Sequence, residues 1–436
     1  MTTTTLSRPQ QQGATRRPFR TDIQALRAIA IGLVVINHLW PTRLGGGYVG
    51  VDVFFVISGF LITSHLTAEL AQTGRLRLGP FYARRVRRLL PAALVVLLGA
   101  LALVVIALPY PRWSRNAWEV ISSALYVENW YLATQSVNYS ALNDAASAVQ
   151  HYWSLSVEEQ FYLIWPVLLL AAFVLGGRRS SYRSRRSLVA AVGAVGVLSF
   201  SASVFYTATA PAQAYFVTFT RAWEFAAGAL VALVPVTVRM NAVVANALGL
   251  GGFTAIFAAA LSFGSVTPFP GVAALLPVLG TVAVILGGST DARQLHDFVT
   301  RRGPVQWLGD VSYSLYLWHW PLIVVTPFLL ATELTFASRA GLLFLALLLA
   351  WATRRWVEVP ALRWKWWTGS TRRTFSLTAA GMAAVLLAAA AVLLVHSVRT
   401  AADQPPQRSS RWRVSAPPRW SRRRTARAPS PPSARR

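Results

Sequence analysis

Arg27 and His38 stand eleven residues apart inside one apolar run, 23–40. Three turns of α-helix take about 10.8 residues, so the two share a helix face about 16 Å apart along its axis. An ionisable side chain in such a run costs about 3 kcal/mol to insert in a membrane, which makes each one a functional candidate. Imidazole is the side chain whose ordinary pKa lies nearest neutrality, so His38 can take a proton from a hydroxyl. A helix-packing hydrogen bond is the plainer use of a lone His, and the sequence leaves both open. Asp52 opens the next apolar run, after Gly45-Gly46-Gly47, at the depth where His38 ends. It can hold a His in one tautomer or face the helix dipole, and the two uses are equally compatible with its place.

Further along, Glu158, Glu159 and Gln160 follow one another in an apolar segment. Adjacent acids cannot both face lipid, so at least one faces a polar cavity. Arg221 and Glu224 are spaced i, i+3 and suit an ion pair, which can be structural. The run 305–330 carries His319 beside Tyr313, Tyr316, Trp320 and Pro321. The aromatics fit a packing stripe; a second buried His is harder to dismiss. At the opposite end lie Arg84, Arg85, Arg87 and Arg88, either topology signals or a basic mouth suited to a phosphate-bearing ligand. The pattern is a polar path from a basic mouth to an acid/base cluster.

These residues sit in a chain of 436 amino acids that is 54% hydrophobic and 13% charged. Soluble domains carry about 25% charged residues. The apolar excess falls in runs of about twenty residues, each long enough to cross a bilayer. The fold class is therefore all-α, a polytopic transmembrane helical bundle of about ten core spans plus an eleventh helix. A β-barrel would alternate apolar and polar residues, which these runs do not do. There is no Cys, and no two of the six His are spaced i, i+3 or i+4, so no metal site is expected. The net charge of +27 lies in the segments between apolar runs and argues for topology rather than nucleic-acid binding.

The eleven runs are 23–40, 49–66, 89–109, 152–175, 188–209, 214–234, 242–263, 270–288, 305–330, 337–357 and 375–396. With the N-terminus inside, the inner segments up to Arg373 hold 25 basic residues, counting Arg354 and Arg355 at the end of the tenth run, against four outside (Arg43, Arg112, Arg115 and Arg339). That asymmetry places the N-terminus in the cytoplasm and, if all eleven runs cross, the C-terminus outside. The outer segment 110–151 carries Glu119, Glu128 and Asp144, and its apolar stretch 121–133 suits a re-entrant segment. The expected division is a disordered cytoplasmic N-terminus (1–19), a membrane domain (20–360), a basic linker with the eleventh helix (361–400) and a disordered Arg/Pro-rich tail (401–436). Ten Arg in that tail conflict with an outside location under the positive-inside trend.

The stretch Asp22-Ile23-Gln24-Ala25-Leu26-Arg27, the Arg27–His38 spacing and Gly46-Gly47-Tyr48-Val49-Gly50-Val51-Asp52-Val53-Phe54-Phe55 resemble the start of the acyltransferase-3 family of bacterial membrane enzymes. Phe81-Tyr82-Ala83-Arg84-Arg85-Val86-Arg87-Arg88 is similar to the family's arginine-rich loop, with its Arg-x-x-Arg pair on Arg85 and Arg88. Trp153–Tyr162 and Ser312–His319 are similar to later family blocks. The resemblance runs from about 19 to 360, with Gln24 standing where relatives commonly have Asp.

The resemblance implies an integral membrane O-acyltransferase that moves an acyl group, often acetyl, from cytoplasmic acyl-CoA to a hydroxyl of a cell-envelope carbohydrate or secreted glycosylated metabolite. Acyl-CoA is then a donor substrate, with no bound cofactor expected. It implies an essential His at His38 and a functional Arg at Arg27. The expected catalytic set is His38, Asp52 and Glu158, with Arg27, Arg85, Arg88, Gln160, Arg221, Glu224 and His319 binding substrates. Many relatives add an SGNH esterase-like domain; the tail of about forty residues is shorter than that, so a stand-alone or truncated version is the expectation, with a separate SGNH-type partner as one option. The rival is a transporter or exporter whose intramembrane His and Glu relay protons, but no repeated halves are visible.

Overall fold

In the computed structural model the described residues are 20–136, 146–177, 181–234, 240–290 and 293–403. The N-terminal segment 1–19, Asp144, Arg178, Arg179 and residues 404–436 lie outside them, and with them the expectations placed there.

Each of the eleven apolar runs has a helix. They are α1 (Thr21–Leu39), α2 (Gly50–Thr73), α3 (Leu78–Ala107), α6 (Tyr152–Leu175), α7 (Ser181–Thr209), α8 (Ala222–Ala232), α9 (Ala242–Ser262), α10 (Leu275–Gly287), α11 (Gly303–Leu330), α12 (Phe336–Thr353) and α13 (Thr371–Asp403). Two shorter helices, α4 (Trp113–Ala124) and α5 (Glu128–Gln135), lie between α3 and α6. Nine helices among the described residues are long and apolar enough to cross a membrane. The protein is a polytopic α-helical bundle. No strand occurs among the described residues.

Two runs make helices too short to span alone. The sixth makes a single turn at Thr218–Thr220 before α8 begins at Ala222. The eighth starts with Pro270 and Gly271, and α10 begins only at Leu275. Proline removes a backbone donor and blocks helix continuation, so an unbroken apolar run need not be an unbroken helix. The stretch 121–133 is a helix–turn–helix centred on Tyr126, whose φ is +56°.

Polar and apolar residues are distributed as a bilayer demands. Asp52, Glu119, Glu128, Arg221, Glu224 and His319 are buried, whereas Leu163, Ile164 and Leu198 are exposed. Close helix contact comes from small residues. A Cβ on Gly59 of α2 would stand 2.0 Å from the Phe225 carbonyl, and one on Gly228 of α8 would stand 1.9 Å from that of Val56. These two glycines let α2 and α8 cross backbone to backbone. Gly309 of α11 meets the Gln24 backbone in the same way, which seats α11 against α1.

Candidate functional site

The α1–α11 contact organises the site. Near the arginine-rich end, Arg27 Nη2 donates to Ser312 Oγ at 2.9 Å, and Gln24 Nε2 donates to Asp310 Oδ1 at 2.5 Å. Arg354, just past α12, pairs with Asp310 at 2.7 Å. Gln24 also accepts from Arg27 Nη1 at 3.3 Å, so it links that guanidinium to the Asp310 carboxylate. The acid at this place comes from α11.

Above this mouth lies a cavity of about 740 Å³. Six Arg line it: 27, 84, 85, 87, 88 and 354, against the carboxylates Glu158, Asp310 and Glu358. The side chains are therefore net cationic. Arg85 lies over the Tyr162 ring, 4.6 Å from its centre. Glu158 accepts from the hydroxyls of both Ser58 and Tyr162. The expected pair Arg85 and Arg88, with Arg27 and Glu158, thus share one chamber.

His38 is not in that chamber. It lines a second one of about 130 Å³ with His151, Trp153, Tyr215 and Trp320. Val51 and Tyr316 line both cavities, so the two chambers adjoin there. The Tyr316 hydroxyl is held by Ser154 Oγ at 2.7 Å and donates to the His151 carbonyl at 2.9 Å.

The sequence offers Asp52 as an orienting group for His38. In the structure His38 Nδ1 lies 3.0 Å from His319 Nε2 instead. The other ring nitrogen of His319 lies 2.6 Å from the Tyr316 carbonyl and 3.1 Å from that of Leu315. A carbonyl only accepts, so His319 Nδ1 carries the hydrogen and its Nε2 carries a lone pair. His38 Nδ1 must then donate, which leaves the lone pair of a neutral His38 on Nε2. Trp320 packs edge-on against that ring at 4.6 Å. The arrangement can take a proton at His38 Nε2 while His319 stabilises the resulting cation through the same bond.

Asp52 gives its carboxylate to Arg221, 3.3 Å away, and Glu224 lies 3.1 Å from the same guanidinium. All three are buried. The rings of Phe55, Trp153, Tyr215 and Phe269 surround the Arg221 guanidinium at 5.3–5.9 Å. This is a paired internal cluster joining α2 and α8. Gln160 serves a similar joining purpose, donating to the Tyr126 carbonyl and Asn129 Oδ1 at 2.9 Å each and accepting from Thr218 at 2.5 Å. None of Asp52, Gln160, Arg221 or Glu224 lines either chamber.

Sequence reading passed over Ser154, Asp310, Arg354, Glu358 and His151. One signal was present for His151. Pro321 has no N–H, so the carbonyl four residues earlier, Leu317, lacks its helical donor. His151 Nε2 fills that place at 3.1 Å.

Residues 20–355 match the model of the family described as an acyltransferase domain. The chain belongs to the acyltransferase-3 family. Family members similar to it include the peptidoglycan O-acetyltransferase OatA of Listeria monocytogenes, 32% identical over 71% of this chain and 50% of the relative. The putative peptidoglycan O-acetyltransferase YrhL of Bacillus subtilis is 31% identical over 70% and 48%, respectively. The O-acetyltransferase OatA of Staphylococcus aureus is 29% identical over 78% and 56%. The chain therefore spans about half the length of these family members. No solved structure matches it.

Proposed function

We propose that the protein is a membrane O-acetyltransferase that moves acetyl from acetyl-CoA, taken from the cytoplasm, to a hydroxyl of a cell-envelope carbohydrate. The observation that carries this reading is the pair of chambers, a cationic one and a histidine one, which share Val51 and Tyr316 in their linings. CoA bears several phosphate charges, and Arg binds phosphate through paired N–H donors. Arg85, Arg88 and Arg27 are the residues assigned to it. The rise from Arg27 to His38 is about 16 Å, a span that an extended pantetheine arm covers. The thioester then passes Tyr316 and reaches His38.

A sugar hydroxyl is a poor nucleophile at neutral pH and needs a base beside its proton. In this reading His38 Nε2 takes that proton as the oxygen attacks the thioester carbonyl. The C–O bond forms, the C–S bond breaks, and the proton passes from His38 to the departing CoA thiolate. An acyl-His38 intermediate would use the same nitrogen as nucleophile. His319 holds the tautomer in either route. Glu158 stays on the donor side, where it anchors Ser58 and Tyr162 next to Arg85. Asp52, Arg221 and Glu224 keep α2 and α8 in place behind the histidines.

The arginine-rich end faces the cytoplasm and the histidine chamber the outer side, in keeping with the basic residues of the intervening segments. The test is transfer of labelled acetyl from acetyl-CoA to a soluble peptidoglycan glycan fragment by the purified protein. Acetylated glycan is the expected product; acetyl-CoA left unconsumed would overturn the reading.

A further inference from the structure

His151 is buried to 97%, yet among the described residues only one of its ring nitrogens has a hydrogen-bond partner. Its Nε2 meets the Leu317 carbonyl, which can only accept, so that nitrogen carries the hydrogen. The rings of Tyr152, Tyr316 and His319 surround it. The neutral ring then holds a lone pair on Nδ1, and that atom has no hydrogen-bond partner among the described residues. An acceptor left unpaired in a buried site carries a desolvation penalty unless something donates to it. The ring lines the same 130 Å³ chamber as His38.

That chamber holds about four water volumes of roughly 30 Å³ each. It has room for a hydroxyl-bearing arm of a sugar and not for a run of sugars. The ring centres of His38 and His151 both lie within 5.5 Å of that of His319, and both rings line this one small chamber. Trp153, Tyr215 and Trp320 add aromatic faces of the kind that pack on sugar C–H groups.

We propose that this chamber is the acceptor subsite, and that His151 Nδ1 accepts a hydrogen bond from a second hydroxyl of the carbohydrate beside the one that reacts. The inference rests on the acetyltransferase reading. It makes His151 a binding residue that selects polyhydroxylated acceptors, with His38 acting on the reacting oxygen. A site built to receive a hydroxyl discriminates against molecules lacking it, because its own polar atom is then left unpaired.

Two replacements separate this role from a structural one. His151→Gln keeps an N–H near the Nε2 position for Leu317 and removes the Nδ1 acceptor. His151→Asn keeps an acceptor near Nδ1 and gives up the Leu317 bond. With acetyl-CoA and a soluble peptidoglycan glycan fragment, His151→Gln should raise the glycan KM about tenfold and leave the acetyl-CoA KM unchanged, the size expected for one lost hydrogen bond. His151→Asn should keep the glycan KM within about threefold. Calorimetric binding of the glycan fragment without donor should show the same contrast. That second measurement stands even if acetyl-CoA proves not to be the donor, so failure of the donor assignment is distinguishable from failure of the subsite. A normal glycan KM and affinity in His151→Gln, or equal loss towards both substrates in both variants, would reduce His151 to a structural tie.

Discussion

His38 and His319 face each other with 3.0 Å between Nδ1 and Nε2 and with ring planes parallel to within 2°. The bond is directional because the far nitrogen of His319 is committed to the carbonyls of Leu315 and Tyr316. A neutral imidazole thus occupies the place usually given to a carboxylate in a His-based pair. His319→Ala frees His38 to turn and to take either tautomer. Acetyl transfer should fall about ten- to a hundredfold in kcat, less than for loss of the base itself, with donor affinity unchanged. An unaltered kcat would remove His319 from the account.

Arg85 and Arg88 line the cationic chamber, and Arg85 is also stacked on Tyr162. Replacing either with Ala should weaken acetyl-CoA binding about tenfold or more, the scale of one charge-assisted contact, while the protein still inserts. Arg85→Lys should restore little, since a point charge neither stacks nor forks onto phosphate. Equilibrium binding of CoA to detergent-purified variants reads this directly, and wild-type affinity in both Ala variants would reduce the pair to topology signals.

Arg221 sits between Asp52 and Glu224 with its side chain 1% exposed. Removing it leaves two buried acids without their cation, a loss of about 3–5 kcal/mol for broken buried pairs. Arg221→Met should therefore lower thermal stability in detergent and the yield of inserted protein, and His38-dependent transfer should fall only in proportion to folded protein. A well-folded Arg221→Met protein devoid of activity would instead place this cluster in the chemistry.

Reporter fusions at 75 and 365 should read cytoplasmic, and one at 265, between α9 and α10, extracytoplasmic. The expectation follows from the 25-to-four distribution of basic residues around the spans. The opposite readings would invert the two chambers and with them the assignment of donor and acceptor sides.

The helices were legible in the sequence because apolar length is a local property. All eleven runs carry a helix; only where the turn at Thr218–Thr220 and the start at Pro270 intervene did a run hold much less helix than its length suggested. The arginine chamber was legible in part. Arg85 and Arg88 lie three apart on α3, but Asp310, Arg354 and Glu358 come from distant segments whose approach no spacing reveals. Partner choice was the least visible. His38 and Asp52 are near in sequence and in depth, yet His319 arrives from α11, because Gly309 lets that helix rest on the Gln24 backbone. The unpaired carbonyl left by Pro321 was a local clue to His151 that became useful only once α6 and α11 were side by side.

Transfer turns on His38 Nε2. The most direct measurement compares purified wild-type and His38→Ala proteins for acetyl transfer from acetyl-CoA to a peptidoglycan glycan fragment, at matched CoA occupancy. Loss of a general base should lower the rate about a hundred- to ten-thousandfold with CoA affinity unchanged. Transfer by His38→Ala at near the wild-type rate would contradict the account and move the base elsewhere, to His319 or Glu158.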